Sequence, residues 1–188
     1  MRNTDYKKLD KIFINRWSPR AFLADPVAEE TLMTLFEAAR WSPSCYNDQP
    51  WKFVFARSSE DLKRFCSVLV EANQAWACAA PVLVIAFSRQ QFSMNDQPNR
   101  WADFDTGAAW MSLTLQAEQL GLHCHAMGGF DAERACAVTG VDPQLFNALC
   151  VIAIGKQGPA ELLPDEIRAL EAPNDRRPLK DMVTEGRI

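Results

Sequence analysis

The chain is poor in the residues that many catalytic and nucleotide-binding motifs require. Among 188 residues there are two histidines and eight glycines. The glycines form neither Gly-x-Gly-x-x-Gly nor the Gly-Lys-Ser/Thr ending of a P-loop, which disfavours a Rossmann dinucleotide site and a triphosphate site alike. Two histidines without a nucleophile-elbow glycine pattern also argue against a Ser-His-Asp hydrolase. The six cysteines (Cys45, Cys66, Cys78, Cys124, Cys136 and Cys150) include no Cys-x-x-Cys pair. That spacing argues against a zinc ribbon or a thioredoxin-like centre, and the thiols are expected to be reduced, mostly buried apolar residues. No apolar run approaches the ~20 residues that cross a bilayer, and Met1-Arg2-Asn3-Thr4-Asp5-Tyr6 lacks the apolar centre of a signal peptide. A cytoplasmic protein without a membrane partner is the expectation. Positive charge is not in excess either: 20 Lys and Arg stand against 24 Asp and Glu, a net charge of −4. The basic residues are scattered, so nucleic acid is not an expected partner.

What is present is core material. Hydrophobic residues make up 48% of the chain and six are tryptophans, enough for one domain over residues 1–188 with little room for a second. Leu9, Ile12 and Phe13 suggest a helix over residues 4–15, capped at Asn3 or Thr4. Leu32, Leu35, Phe36 and Ala39 share one face of a second helix, with Glu29 and Glu30 in its first turn and Pro43 as its stop. Trp51–Ala56 reads as a strand, Ser58 as the start of a helix, and the continuously apolar Pro81–Phe87 as a buried central strand. Residues 103–120 form a helix apolar almost all round, closed by Gly121. Such a helix needs burial on most sides, in the core or against a second subunit. Leu122–Met127 reads as a short strand, Asp131 as the cap of a helix to Thr139, and Ala148–Ile154 as another apolar strand. The tail beyond Gly158 is charged and proline-rich, suited to an arm that wraps a partner.

Two segments carry the chemistry. In Arg16-Trp17-Ser18-Pro19-Arg20, two guanidiniums flank a hydroxyl. They can fork onto a phosphate or onto an electron-poor carbonyl edge, although a solvated helix end has the same composition. In Pro43-Ser44-Cys45-Tyr46-Asn47-Asp48-Gln49-Pro50-Trp51, hydroxyl, thiol and amide groups lie between prolines that fix the backbone. The segment has no nucleophile and base pair, which suits recognition of a flat heterocycle, where an ordinary Asx turn would be the bland alternative. His123-Cys124-His125 is tempting as a metal pair, but on a strand both imidazoles face one way with no third ligand nearby. No metal is expected. By composition alone, Asn174-Asp175-Arg176-Arg177-Pro178 reads as solvated tail.

Taken together, the Arg-x-Ser-x-Arg segment and the Pro-Ser-x-x-Asn-x-Gln-Pro-Trp loop resemble the FMN-dependent nitroreductase family, with Cys45 and Tyr46 departing from its commoner residues. The resemblance spans about Arg16 to Leu179. It implies an α+β fold with a central mixed β-sheet flanked by helices, assembled as an intertwined homodimer around two flavins. It implies FMN binding by Arg16, Trp17, Ser18 and Arg20, and by Pro43, Ser44, Cys45, Asn47 and Gln49. Met127, Gly128 and Gly129 would lie against the ring, and Arg176 and Arg177 would serve the phosphate. A second basic position of the family falls at Asn174, which would weaken the phosphate grip or shift it to Arg20 or Lys156. The implied activity is hydride transfer from NADH or NADPH through flavin N5 to an electron-poor acceptor such as a nitroaromatic or a quinone. No side chain is required as catalytic acid or base. The alternative is a flavin sensor or store without rapid turnover.

Overall fold

A computed structural model describes residues 2, 4 and 6–187. The expected α+β fold is found. The long strand β2 (Val82–Arg89) sits at its centre, buried along almost its whole length. It pairs antiparallel with β1 (Trp51–Ala56) on one side and with β4 (Phe146–Gly155) on the other, and β3 (His123–Met127) pairs antiparallel with β4. The order is β1-β2-β4-β3. The sheet expected to be mixed is thus antiparallel at every pairing of the described strands. The helices between strands do not return the chain to a parallel neighbour: they pack on the two faces and leave adjacent strands running in opposite directions.

Alternation along the strands divides the core in two. Leu83, Ile85 and Phe87 of β2, with Val151 and Ala153 of β4, face a cluster that includes Phe65 of α3 (Ser59–Cys66), Trp76 and Ala77 of α4 (Glu71–Ala77), and Ala135 of α6 (Ala132–Thr139). Val82, Val84, Ala86, Ile152 and Ile154 face Leu32, Leu35 and Ala39 of α2 (Glu29–Arg40) and Ala109, Leu113 and Ala117 of α5 (Ala102–Gln119). The chain is therefore three layers deep, with helices on both faces of the sheet.

Local signals set most boundaries. The Ser58 side chain accepts from the Asp61 N–H to cap α3, and the Asp131 side chain accepts from the Arg134 N–H to cap α6. Gly121, at φ +70°, turns the chain out of α5 while the Leu122 N–H reaches back to the Ala117 carbonyl.

Two further expectations are corrected, and one helix is added that the sequence did not suggest. The N-terminal helix α1 covers only Ile12–Asn15; Leu9 and Phe13 are 43% and 48% exposed, so no core face rewards a longer helix. Its proposed cap at Asn3 lies outside the described residues. Helix α4 had no periodic sequence signal; its seven residues bury chiefly Trp76 and Ala77. Cys66 and Cys78 are joined as a disulfide, their Cα atoms 5.7 Å apart at the ends of α3 and α4. Their sequence separation concealed a proximity that only the packing of the two helices creates.

Candidate functional site

The segment after α1 is held from three directions. The Arg2 guanidinium donates to the carbonyls of Ile14, Arg16 and Asn174. The Glu171 carboxylate accepts from the backbone N–H of Arg20 and of Ala21, each at 3.0 Å. His125 Nδ1 lies 2.9 Å from the Pro19 carbonyl. These contacts draw the N-terminus, the arginine segment, β3 and the C-terminal tail around a cavity of about 200 Å³ lined by Arg2, Arg16, Trp17, Ser18, Arg20, His125, Ala172, Asn174 and Arg176. Four guanidiniums and no carboxylate line it.

The electrostatics follow from that imbalance. None of the four arginines belongs to an ion pair among the described residues. Burial, then the charges of Arg2 and Arg176, hold Arg16 below the usual guanidinium range, and Glu118 offsets this only in part. Ser18 Oγ accepts a long contact from Arg16 Nη1 at 3.4 Å. Converging cations that destabilise one another are compensated by an anion, and forked guanidiniums suit a phosphate in particular. Glu171, whose oxygens accept from the backbone N–H groups of Arg20 and Ala21, does not line the cavity. Arg20 also borders a second cavity, of about 550 Å³, lined in part by Asn73, Trp76, Ile167 and Leu170.

The loop over residues 43–49 is built elsewhere, between α2 and β1. Tyr46, Asn47 and Gln49 all take positive φ (53°, 57° and 50°), a left-handed backbone uncommon for non-glycine residues and frequent at ligand sites. The buried Asp105 carboxylate of α5 accepts from the Cys45 N–H at 2.9 Å, and Ser44 Oγ accepts from the Gln49 N–H at 3.0 Å. Asp48 accepts from the backbone and hydroxyl of Ser93, tying the loop to the next one along. Tyr46 is 77% exposed, and Phe104, at the start of α5, is 74% exposed.

Comparison with known proteins decides the kinship. The pattern of the nitroreductase family matches residues 14–71 and 63–156. The chain belongs to the nitroreductase family. A relative from Ralstonia nicotianae, provisionally designated an NADH dehydrogenase/NAD(P)H nitroreductase, is 30% identical over 167 residues, covering 78% of this chain and 85% of its own. A counterpart from Leptothrix cholodnii with the same designation is 30% identical over 186 residues, covering 85% and 90%. A crystal structure described as an oxidoreductase containing FMN is 41% identical, with a TM-score of 0.93 over 99% of this chain and 95% of its own. The fold is shared more distantly by a provisionally assigned nitroreductase of Exiguobacterium sibiricum solved with FMN: 18% identity, TM-score 0.79 and 99% coverage of both chains.

Within this nitroreductase chain the sequence-expected residues fall into separate groups. Arg16, Trp17, Ser18, Arg20 and Arg176 meet at the cationic cavity. Arg177 instead lines a larger cavity of about 540 Å³ with Tyr6, Leu9 and Phe13. Lys156 lies 3.3 Å from Asp25 and does not line the arginine cavity, whereas Arg20, the other alternative, does. Arg2 supplies the additional cation, and it hydrogen-bonds the carbonyl of Asn174, the position where the basic residue is lacking. Met127 is buried in the core. Gly128 has open space where a Cβ would project, whereas a Cβ on Gly129 would meet Asn73 Nδ2 at 2.8 Å. Pro43, Ser44, Cys45, Asn47 and Gln49 form the separate loop and do not line the arginine cavity. Arg2, Glu171 and Asp105 were not legible from spacing, because each acts through a contact between distant segments. His125 had a signal, two histidines on one strand face, but it was weighed only as a metal pair and set aside.

Proposed function

We propose that this single FMN-binding domain is an oxidoreductase using NADH or NADPH to reduce an electron-poor organic acceptor such as a nitroaromatic or a quinone. One observation carries the reading: four arginines surround a cavity with no carboxylate in its wall, in a chain of the nitroreductase family. Arg16, Ser18, Arg176 and Arg2 would hold the FMN phosphate. Arg20, the segment Met127–Gly129 and the loop 43–49 would serve the remainder of the cofactor. When bound, FMN supplies the two-electron chemistry between nicotinamide and acceptor.

The chain's own share is positioning and electrostatics. Arg20, fixed through its backbone by Glu171, supplies a cation where negative charge develops, as preorganised groups do in general. Asp105 and Ser44 hold the strained loop in one shape, and the open side of Gly128 lets a flat ligand approach the backbone. No titrating side chain is needed at the reacting atoms.

We infer further that the working unit is a homodimer. The arginine cavity and the loop are separate regions of one chain, so a second copy offers a way to complete a site that uses both. The outer side of α5 supports this: Phe104 is exposed, Met111 and Leu115 are only half-buried, and Gly107 has nothing within 4 Å of where a Cβ would sit. The C-terminal Leu179, Met182 and Val183 are exposed as well. Among the described residues no helix is long and apolar enough to cross a membrane. A cytoplasmic setting goes with the reading, since the electron donor would come from the cell's nicotinamide pool.

The test is a stopped-flow cycle on FMN-loaded protein. Rapid bleaching of the yellow colour by NADH or NADPH, and its return on adding a nitroarene or quinone, is the expected result. A yellow protein that bleaches only over minutes is instead a flavin store or sensor. Sedimentation of the loaded protein at micromolar concentration should give a dimer, and a flavin-loaded monomer overturns the assembly.

A further inference from the structure

His125 lies in the wall of the arginine cavity, and its hydrogen bonding fixes what it offers there. A carbonyl can only accept, so the 2.9 Å contact with the Pro19 carbonyl requires the proton on Nδ1. In the neutral ring, Nε2 is therefore left as an acceptor. The ring is held in place by Trp76 of α4, with centroids 4.5 Å apart, and Trp76 stacks in turn on Phe22. In the wall of a cavity that suits an anion, the only polar atom a neutral His125 has left for a ligand is thus an acceptor, and an anion also brings acceptors. Protonation alone turns Nε2 into a donor.

We propose that His125 is a ligand of the cofactor phosphate that gains proton occupancy from solvent when the phosphate binds, coupling FMN affinity to pH. The proposal rests on the reading of the arginine cavity as the phosphate site and adds to it a residue and a proton. The charged groups around the ring set the direction. Arg16 and Arg20 act on it from the arginine segment and Glu171 from the tail, Arg2 and Arg176 share its cavity wall, and on its own strand His123 stands two residues away beside Glu118. Burial holds the imidazole below its ordinary range, against the Pro19 hydrogen bond that favours its protonated form; Arg20 and Arg16 add to the lowering and Glu171 opposes it. A phosphomonoester carries a charge of about −1.5 to −2 near neutral pH. Placed among the four arginines it offsets their field at the ring and raises the histidine. Because the bound state holds the proton more tightly than the free state, binding gains strength as pH falls through the interval between the two values. The gain is complete below the lower of them.

Calorimetric binding of FMN and of riboflavin, at pH 7 in two buffers of different ionisation enthalpy, tests this. Asparagine at 125 keeps an N–H for the Pro19 carbonyl but cannot titrate. Wild type is expected to take up more protons with FMN than with riboflavin, and His125→Asn to lose that excess. Equal excess uptake in wild type and His125→Asn, with FMN still preferred over riboflavin, overturns the role of His125 and leaves the phosphate cavity standing. Equal affinities for FMN and riboflavin in wild type overturn the cavity assignment and the proposal together. Independently of any variant, the ring-proton NMR titration of wild-type His125 should move up by about one pH unit between the riboflavin and FMN complexes. That shift corresponds to about a tenfold gain in affinity at the acid end. An unmoved titration overturns the proposal.

Discussion

Single residues in this chain act through the charge or the backbone atoms they hold. Arg16 is the most burdened, since it is half-buried beside two other guanidiniums. A charge-assisted hydrogen bond to phosphate is worth about 1.5–3 kcal/mol, so Arg16→Ala should weaken FMN by about 10- to 100-fold. Riboflavin, titrated by quenching of its fluorescence, should lose much less. Arg176→Ala should share that selectivity for FMN. Cys45 illustrates the opposite case. Its described polar contacts are through the backbone, the N–H donating to Asp105 and the carbonyl accepting from the Asp48 N–H, and a serine leaves both in place. Cys45→Ser should keep most of the rate of flavin reduction by NAD(P)H in loaded protein. A fall beyond about a hundredfold, roughly 2.7 kcal/mol in barrier, would give the thiol a chemical role. Arg16, Ser18 and Arg20 were readable in the sequence because their spacing is local. Arg2 and Glu171 were not, because residues 2, 16, 20, 171 and 174 become neighbours only when both ends of the chain converge.

Elements decide where the loop points. The first turn of α5 carries Asp105 inward, buried beneath the loop, while Phe104 one position earlier faces outward. Removing the carboxylate leaves the Cys45 N–H without its partner, at a cost of about 1–3 kcal/mol. Asp105→Ala should lower Tm accordingly and speed hydrogen exchange at the Cys45 amide, whereas Asp105→Asn should recover much of both. Slow exchange retained in the alanine variant would mean that the strained backbone holds itself. The long apolar patterns of α2, β2, α5 and β4 made those elements legible, since burial on one face or on all sides imposes the period. Helix α4 escaped because seven residues are too few to display a period, and its place depends on Trp76 fitting between Phe22 and His125.

At the scale of the whole molecule, two chemical states bear on stability. His123 and His125 are both held below the ordinary imidazole range, in each case chiefly by burial. The native state then binds fewer protons than the unfolded chain. Their contribution to stability is complete above the unfolded value of ~6.5 and is lost as pH falls below it toward the folded values. Tm of the flavin-free protein should therefore drop between pH 7.5 and 5.5. The His123→Gln/His125→Asn double variant should show a shallower slope, and an unchanged slope would place the acid sensitivity elsewhere. The second state is redox. Thiol titration of unfolded, unreduced protein should find the four free cysteines Cys45, Cys124, Cys136 and Cys150. Six would mean that Cys66 and Cys78 are open in solution. Closing a loop of that length contributes roughly 3 kcal/mol, so adding reductant should lower Tm. Among the free thiols, burial pushes Cys124 up to about 12 and Cys150 up to about 11, so both should resist alkylation in the folded protein.

The sequence by itself determined the strands, the principal helices, the arginine segment and the proline-bounded loop after α2. Each is encoded within a short stretch, by hydrophobic period, by a cap, or by residues whose spacing places them together. Only the tertiary structure decided that every strand pairing is antiparallel, that Cys66 meets Cys78, that Arg2 and Glu171 brace the arginine cavity, and that the loop and that cavity stand apart in one chain. Those outcomes depend on which distant segments come into contact. Such contacts follow from how both faces of the sheet are covered, and no local pattern of residues specifies that.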